Sequence, residues 1–183
     1  MIKTNWTPTL VWLAAVACAL MFALLAPTES NVMGRVPTLS VERLDQQRIV
    51  MPHDFPADRT LALVAFRRDH HDELDSWIKG LRLDQDSTIS WFKMPVMNDP
   101  GDDGARRAIE NQLLARHTTE QGRSRLVPVF TNREAFTRAA GLSGFEHASV
   151  LVLDRQGNVL ARVEGKFDED KAQALRETLS QRD

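Results

Sequence analysis

"TLALVAFRRDHHDELDSWIKGL", residues 60–81, decides how the rest of the chain is read. Residues 60–66 form a nearly unbroken apolar run, preceded by turn-rich "MPHDFPAD" and followed by a polar stretch. A short run bounded in this way suits a strand covered on both faces, as in a parallel or mixed sheet. Beyond the polar stretch, Leu74, Trp77, Ile78 and Leu81 recur at i, i+3, i+4 and i+7, which is one helical face. Asp72, Glu73 and Asp75 stand at the start of that helix, where its dipole favours negative charge, and Gly80 stands near its end. The segment therefore reads as buried strand, polar loop and amphipathic helix.

The same pattern continues downstream. "TISWFKMPVM" (88–97) reads as the next strand, "NDPGDDG" as a tight loop and "ARRAIENQLLARH" (105–117) as a helix with Ala105, Ile109 and Leu113 along one side. "RLVPVF" (125–130) is a strand carrying Pro128, which cannot donate to a ladder; it should lie at an edge or hold a bulge. "TNREAFTRAAG" is a short helix capped by Thr131 or Asn132 and stopped at Gly141. "SVLVLDRQGNVLARVEG" (149–165) reads as a β-hairpin. A C-terminal helix follows, capped by Asp168, with Ala172, Leu175 and Leu179 inward. Upstream, "TLSVERL" and "RIVMP" flank "DQQ" as a first hairpin. The order is hairpin, β, α, β, α, β, α, hairpin, α. It predicts an α/β domain with a mixed sheet and helices on both faces.

The composition is that of an ordinary globular chain: 183 residues, 43% apolar and 26% charged. A net charge of −2 gives no electrostatic footprint for nucleic acid. The single cysteine, Cys18, lies in an apolar N-terminal run, "LVWLAAVACALMFALLA" (10–26). The folded domain therefore holds no thiol for a disulfide, a zinc cluster or a nucleophile. As a helix the run would be about 25 Å long, and residues 6–26 together approach the hydrocarbon thickness of a bilayer. We read residues 1–30 as an uncleaved signal anchor, with a cleaved signal peptide or a lipoprotein modified at Cys18 as alternatives. Lys3 precedes the run, which predicts a single pass of the inner membrane with the domain facing the periplasm. Residues 31–37 read as a linker and 38–183 as the domain.

The element order, with "LALVAF" early and "SVLVLDRQGNVLARVEG" late, resembles the thioredoxin-like superfamily, and most of all the branch with peroxiredoxins, TlpA-type proteins and Sco copper chaperones. That resemblance implies a thioredoxin-like mixed sheet with an N-terminal β-hairpin. It makes Arg67–Asp72 the counterpart of the active loop and puts Ala148, beside His147, where the family has a cis-proline. Both hallmarks of thiol–disulfide chemistry are thus missing, so no redox activity is carried over. More narrowly, "LVAFRRDHHDELDSWI", "FKMPVM", "VPVFTNREAFTRAAGL" and "VLVLDRQGNVLARVEG" resemble bacterial relatives of the mitochondrial assembly factor for the membrane sector of ATP synthase. This implies a membrane-associated, chaperone-like role.

From these residues we expect no catalytic residue, no cofactor and no metal. Acids clustered at a helix start are dipole complements, and "DPGDDG" lacks the ligand spacing of a calcium or phosphate loop. The expected function is binding of a protein partner through Arg67, Arg68, Asp69, His70, His71, Asp72, His147 and Ala148. The alternative is a periplasmic copper-handling protein that uses His70, His71 and His147. Adjacent histidines diverge on a regular element, which weighs against it.

Overall fold

The structure is a computed structural model, and it describes residues 32–181. The N-terminal stretch read as a signal anchor, with Cys18, lies outside the described residues. None of the described helices is long and apolar enough to cross a membrane.

The described residues form two sheets. Strands β1 (Leu39–Glu42) and β2 (Arg48–Met51) form an antiparallel hairpin. The main sheet has five strands: β3 (Arg59–Ala65), β4 (Trp91–Asn98), β5 (Val129–Thr131), β6 (Ser149–Asp154) and β7 (Val159–Glu164). Their order is β5-β4-β3-β6-β7. The β3–β4 and β4–β5 pairs are parallel, and the β3–β6 and β6–β7 pairs are antiparallel. The apolar run 60–66 thus forms the central strand, which explains why it tolerates no polar face. Strand β5 is an edge and begins just after Pro128, where a missing N–H costs the ladder least.

Among the described residues five α-helices accompany the sheet: α1 (His71–Gly80), α2 (Asp103–Arg116), α3 (Glu120–Ser124), α4 (Arg133–Ala139) and α5 (Glu169–Ser180). Strand alternation sorts the core into two layers. Ala62, Val64, Leu151 and Leu153 face one layer with Phe136 of α4 and Met51 of the hairpin. Leu61, Leu63, Val150 and Val152 face the other, with Leu74 and Trp77 of α1 and Leu175 of α5. Helices on both faces, the edge position of Pro128 and both hairpins agree with the sequence reading. Asn132, rather than Thr131, caps α4 by accepting from the Ala135 N–H at 2.8 Å. Helix α3 was not expected, because its five residues carry no apolar period.

The stretch read as a linker, 31–37, lies against the domain in its second half. Val36 is buried, and the Met33 and Val36 amides donate to the carbonyls of Val159 and Gly157. Gly141, at φ +68, is required here. A Cβ at this position would lie 2.1 Å from the Met33 carbonyl oxygen. Residues Asn31–Asp183 form a compact unit, and it holds both core layers found among the described residues. A compact unit with its own core is of the kind that folds independently.

Candidate functional site

The loop after β3 sits where a parallel strand delivers the chain to a helix N-terminus, at the carboxyl end of the sheet. Its first residue, Phe66, is buried in the layer with Phe136 and packs edge-on against it. Arg67, Arg68 and Asp69 then turn outward, and His70 turns back in, with only 2% of its surface exposed. A short 3-10 turn over Arg68–His70 produces that reversal.

His70 ties the loop to the rest of the molecule. Its Nδ1 accepts from the Phe66 N–H at 3.3 Å, and its Nε2 lies 3.2 Å from the Glu146 carbonyl oxygen. A carbonyl only accepts, so this pattern requires the Nε2–H tautomer. The imidazole therefore bridges the loop after β3 to the loop before β6.

Glu73, in the first turn of α1, makes a second bridge to the same place. One carboxylate oxygen accepts from the Ala148 N–H at 2.7 Å, and the other lies 3.0 Å from His147 Nδ1. Burial alone would raise the Glu73 carboxyl, but the His147 and Ala148 hydrogen bonds outweigh it and hold the group below the usual carboxylate range. The arrangement excludes proline at 148: only a residue with an N–H there can donate to this carboxylate.

The eight residues expected to form the contact surface are therefore placed differently from one another. Arg67, Arg68, Asp69, His71, Asp72 and His147 are exposed on one rim. His70 and Ala148 are buried and support the rim from below. Arg67 holds Asp69 through a two-pronged contact of 3.1 and 2.5 Å and reaches Glu146 at 3.4 Å. The hydrogen bond from Arg67 keeps the Asp69 carboxyl low. His71 pairs with Asp75 at 3.2 Å.

These contacts bear on metal binding. His70, His71 and His147 each engage a different partner, and His70 uses both ring nitrogens. Among the described residues no group of three or more His, Cys, Asp or Glu side chains converges as a metal site.

On the other side of the loop lies a groove of about 580 Å³ between α2 and the sheet. Its presence follows from β4, where Phe92, Met94 and Val96 are buried in the core while Lys93, Pro95 and Met97 on the opposite face are only half covered. Arg68 spans the groove mouth and donates to the Gln112 side chain of α2 at 3.2 Å. Glu73, Gln112 and the groove were not anticipated. The alternation in "FKMPVM" was the available sign of the groove, and nothing local marked Glu73 beyond its place at a helix start.

No protein-family model matches the sequence, and no curated protein matches it. Among solved structures, the chain resembles a protein from Aquifex aeolicus VF5 provisionally named for electron transfer, at TM-score 0.57 and 10% identity over 82% of this chain and 99% of that one. It resembles BsSco, of the Sco family of cytochrome c oxidase assembly proteins, at TM-score 0.53 and 12% identity over 81% and 95%. It also resembles an exposed lipoprotein thioredoxin from Streptococcus pneumoniae strain TIGR4, at TM-score 0.50 and 12% identity over 77% and 99%. The fold is thioredoxin-like. At these identities the likeness carries the architecture alone, and function must come from the site. A disulfide switch is described for BsSco. In this thioredoxin-like domain no cysteine lies among the described residues.

Proposed function

We propose that this thioredoxin-like domain is a non-catalytic binding module, and that it serves the assembly of an envelope or membrane complex. One observation carries the reading: the loop that would hold a redox pair has no thiol and is instead clamped from beneath by His70 and Glu73, which leaves a fixed, charged, exposed rim. A clamped rim suits recognition, since little ordering entropy is lost when a partner docks. A client in the membrane sector of ATP synthase rests on sequence resemblance. An anchor through residues 6–26 and a periplasmic location for the domain rest on the apolar N-terminal run and the Lys3 before it.

The test is affinity purification of the full-length protein from gently crosslinked membranes, beside an Arg67→Glu/Arg68→Glu variant. A partner complex that comes with the native chain and is lost from the variant supports the rim as the contact. Identical recovery from both would sink it. Recovery of ATP synthase membrane-sector subunits would name the client, whereas another envelope complex would keep the binding role and discard that client. Copper handling has the fold of the Sco neighbour in its favour, but it would require His70 to give up two hydrogen bonds. Tight, stoichiometric copper binding by residues 31–183 would revive it.

A further inference from the structure

Helix α2 covers the β4 side of the sheet without burying a single residue, and neither core layer includes any part of it. Ile109 and Leu113 point into the groove from above, and Leu74, Pro95 and Met97 form apolar walls below. The volume, about 580 Å³, falls within the roughly 300–1,000 Å³ of small-molecule pockets.

The polar lining has one sign. Arg67, Arg68, Lys93 and Arg116 line the groove, and among the described residues no carboxylate does. Arg67 and Lys93 have carboxylate partners in Asp69 and Asp75. Arg68 and Arg116 have none among the described residues. His117, also in the lining, registers the resulting field. Burial lowers its pKa, and the charges of Lys93, His71 and Arg116 lower it further, against the opposing pull of Asp75.

We propose that the groove binds an amphipathic anion: a linear apolar tail under α2, with a carboxylate head group between Arg68 and Arg116. Arginine forks match a carboxylate in a two-pronged geometry, and the apolar walls favour a hydrocarbon tail. A small ligand is favoured over a peptide strand because α2 roofs the groove and the strands that line it, β3 and β4, are already paired on both sides. The proposal goes beyond the protein-binding reading. It concerns the α2 side of the loop, which shares Arg67, Arg68 and His71 with the rim and adds Ile109, Leu113 and Arg116.

The probe is submicellar dodecanoate, titrated into isotope-labelled residues 31–183 and followed by NMR. We expect saturable shifts confined to the methyl groups of Met97, Ile109 and Leu113, and an upward move of the His117 titration midpoint on binding. Dodecanol, which lacks the charge, and acetate, which lacks the tail, should each bind at least about tenfold more weakly. Arg116→Gln should weaken dodecanoate by about tenfold, and Leu113→Trp, which fills the groove, should abolish binding while the spectrum of the rest of the domain is retained. Equal affinity for dodecanol and dodecanoate would overturn the proposal. So would shifts spread over the whole surface, native affinity in both variants, or preferential binding of an acidic, apolar peptide. Arg116 and Leu113 lie off the exposed rim, so failure here leaves the rim proposal standing and can be told apart from its failure.

Discussion

Helices α1 and α2 do the same topological work and are packed to opposite extents. Each crosses between neighbouring parallel strands, α1 from β3 to β4 and α2 from β4 to β5. Helix α1 buries Leu74, Trp77 and Ile78, and the Trp77 indole donates to the Gly165 carbonyl at 2.7 Å. Helix α2 buries nothing. The difference follows from sequence: α1 sets large apolar side chains on one face, whereas α2 offers Ala105, Ile109 and Leu113 among arginines and amides. One crossover has become part of the core, and the other has become a cover.

The contrast can be broken most severely at Trp77. Trp77→Ala removes a fully buried ring and its hydrogen bond, and it should lower unfolding free energy by about 3–5 kcal/mol in denaturant titrations. Next comes Glu73→Gln, with an expected loss of about 2 kcal/mol at pH 7, because a charged acceptor leaves the Ala148 N–H and His147. The pH dependence has a definite sign. The folded carboxyl titrates below its ordinary value of 4.5, so its contribution is complete above that pH and is lost as pH falls through the folded value. Denaturant midpoints measured from pH 7 down to 3 should show this loss in the native chain and not in Glu73→Gln. Asp102→Ala removes the cap on α2, where the carboxylate accepts from the Ala105 N–H at 2.7 Å, and should cost about 1 kcal/mol. The smallest effect is expected from Leu113→Ala, at about 0.5 kcal/mol, since the side chain is only half covered. Native-state hydrogen exchange sharpens the comparison. Amides of α2 should open at far lower free energy than those of α1, and equal protection would show that α2 is packed after all.

Much of the fold was legible because its signals are local. An unbroken apolar run marked the central strand, Pro128 marked an edge, and the 3.6-residue period of Leu74, Trp77, Ile78 and Leu81 marked α1. The site was legible only in outline. The loop could be located, but exposed Arg67 could not be told from buried His70, because that depends on Glu146 across the molecule. Likewise, Glu73 reads locally as a dipole complement, and its partners lie 74 and 75 residues away in the chain. Residues 31–37 read as linker because they close "PTESNVMGRVP" (27–37), a short stretch with proline, glycine and polar residues, yet backbone hydrogen bonds and the buried Val36 hold residues 33–36 to the domain.

The place of β3 sets an order on how the chain can be completed. Its first neighbour, β4, begins 26 residues after β3 ends, but its other neighbour, β6, begins only at Ser149. A chain emerging from a ribosome therefore exposes Leu61, Leu63 and Val64 along an open strand edge until the chain has been made past Ser149. Long-range strand pairing of this kind slows folding and lengthens the exposure of apolar edges. The nascent domain is accordingly open to off-path strand pairing from the completion of β3 until β6 has been made.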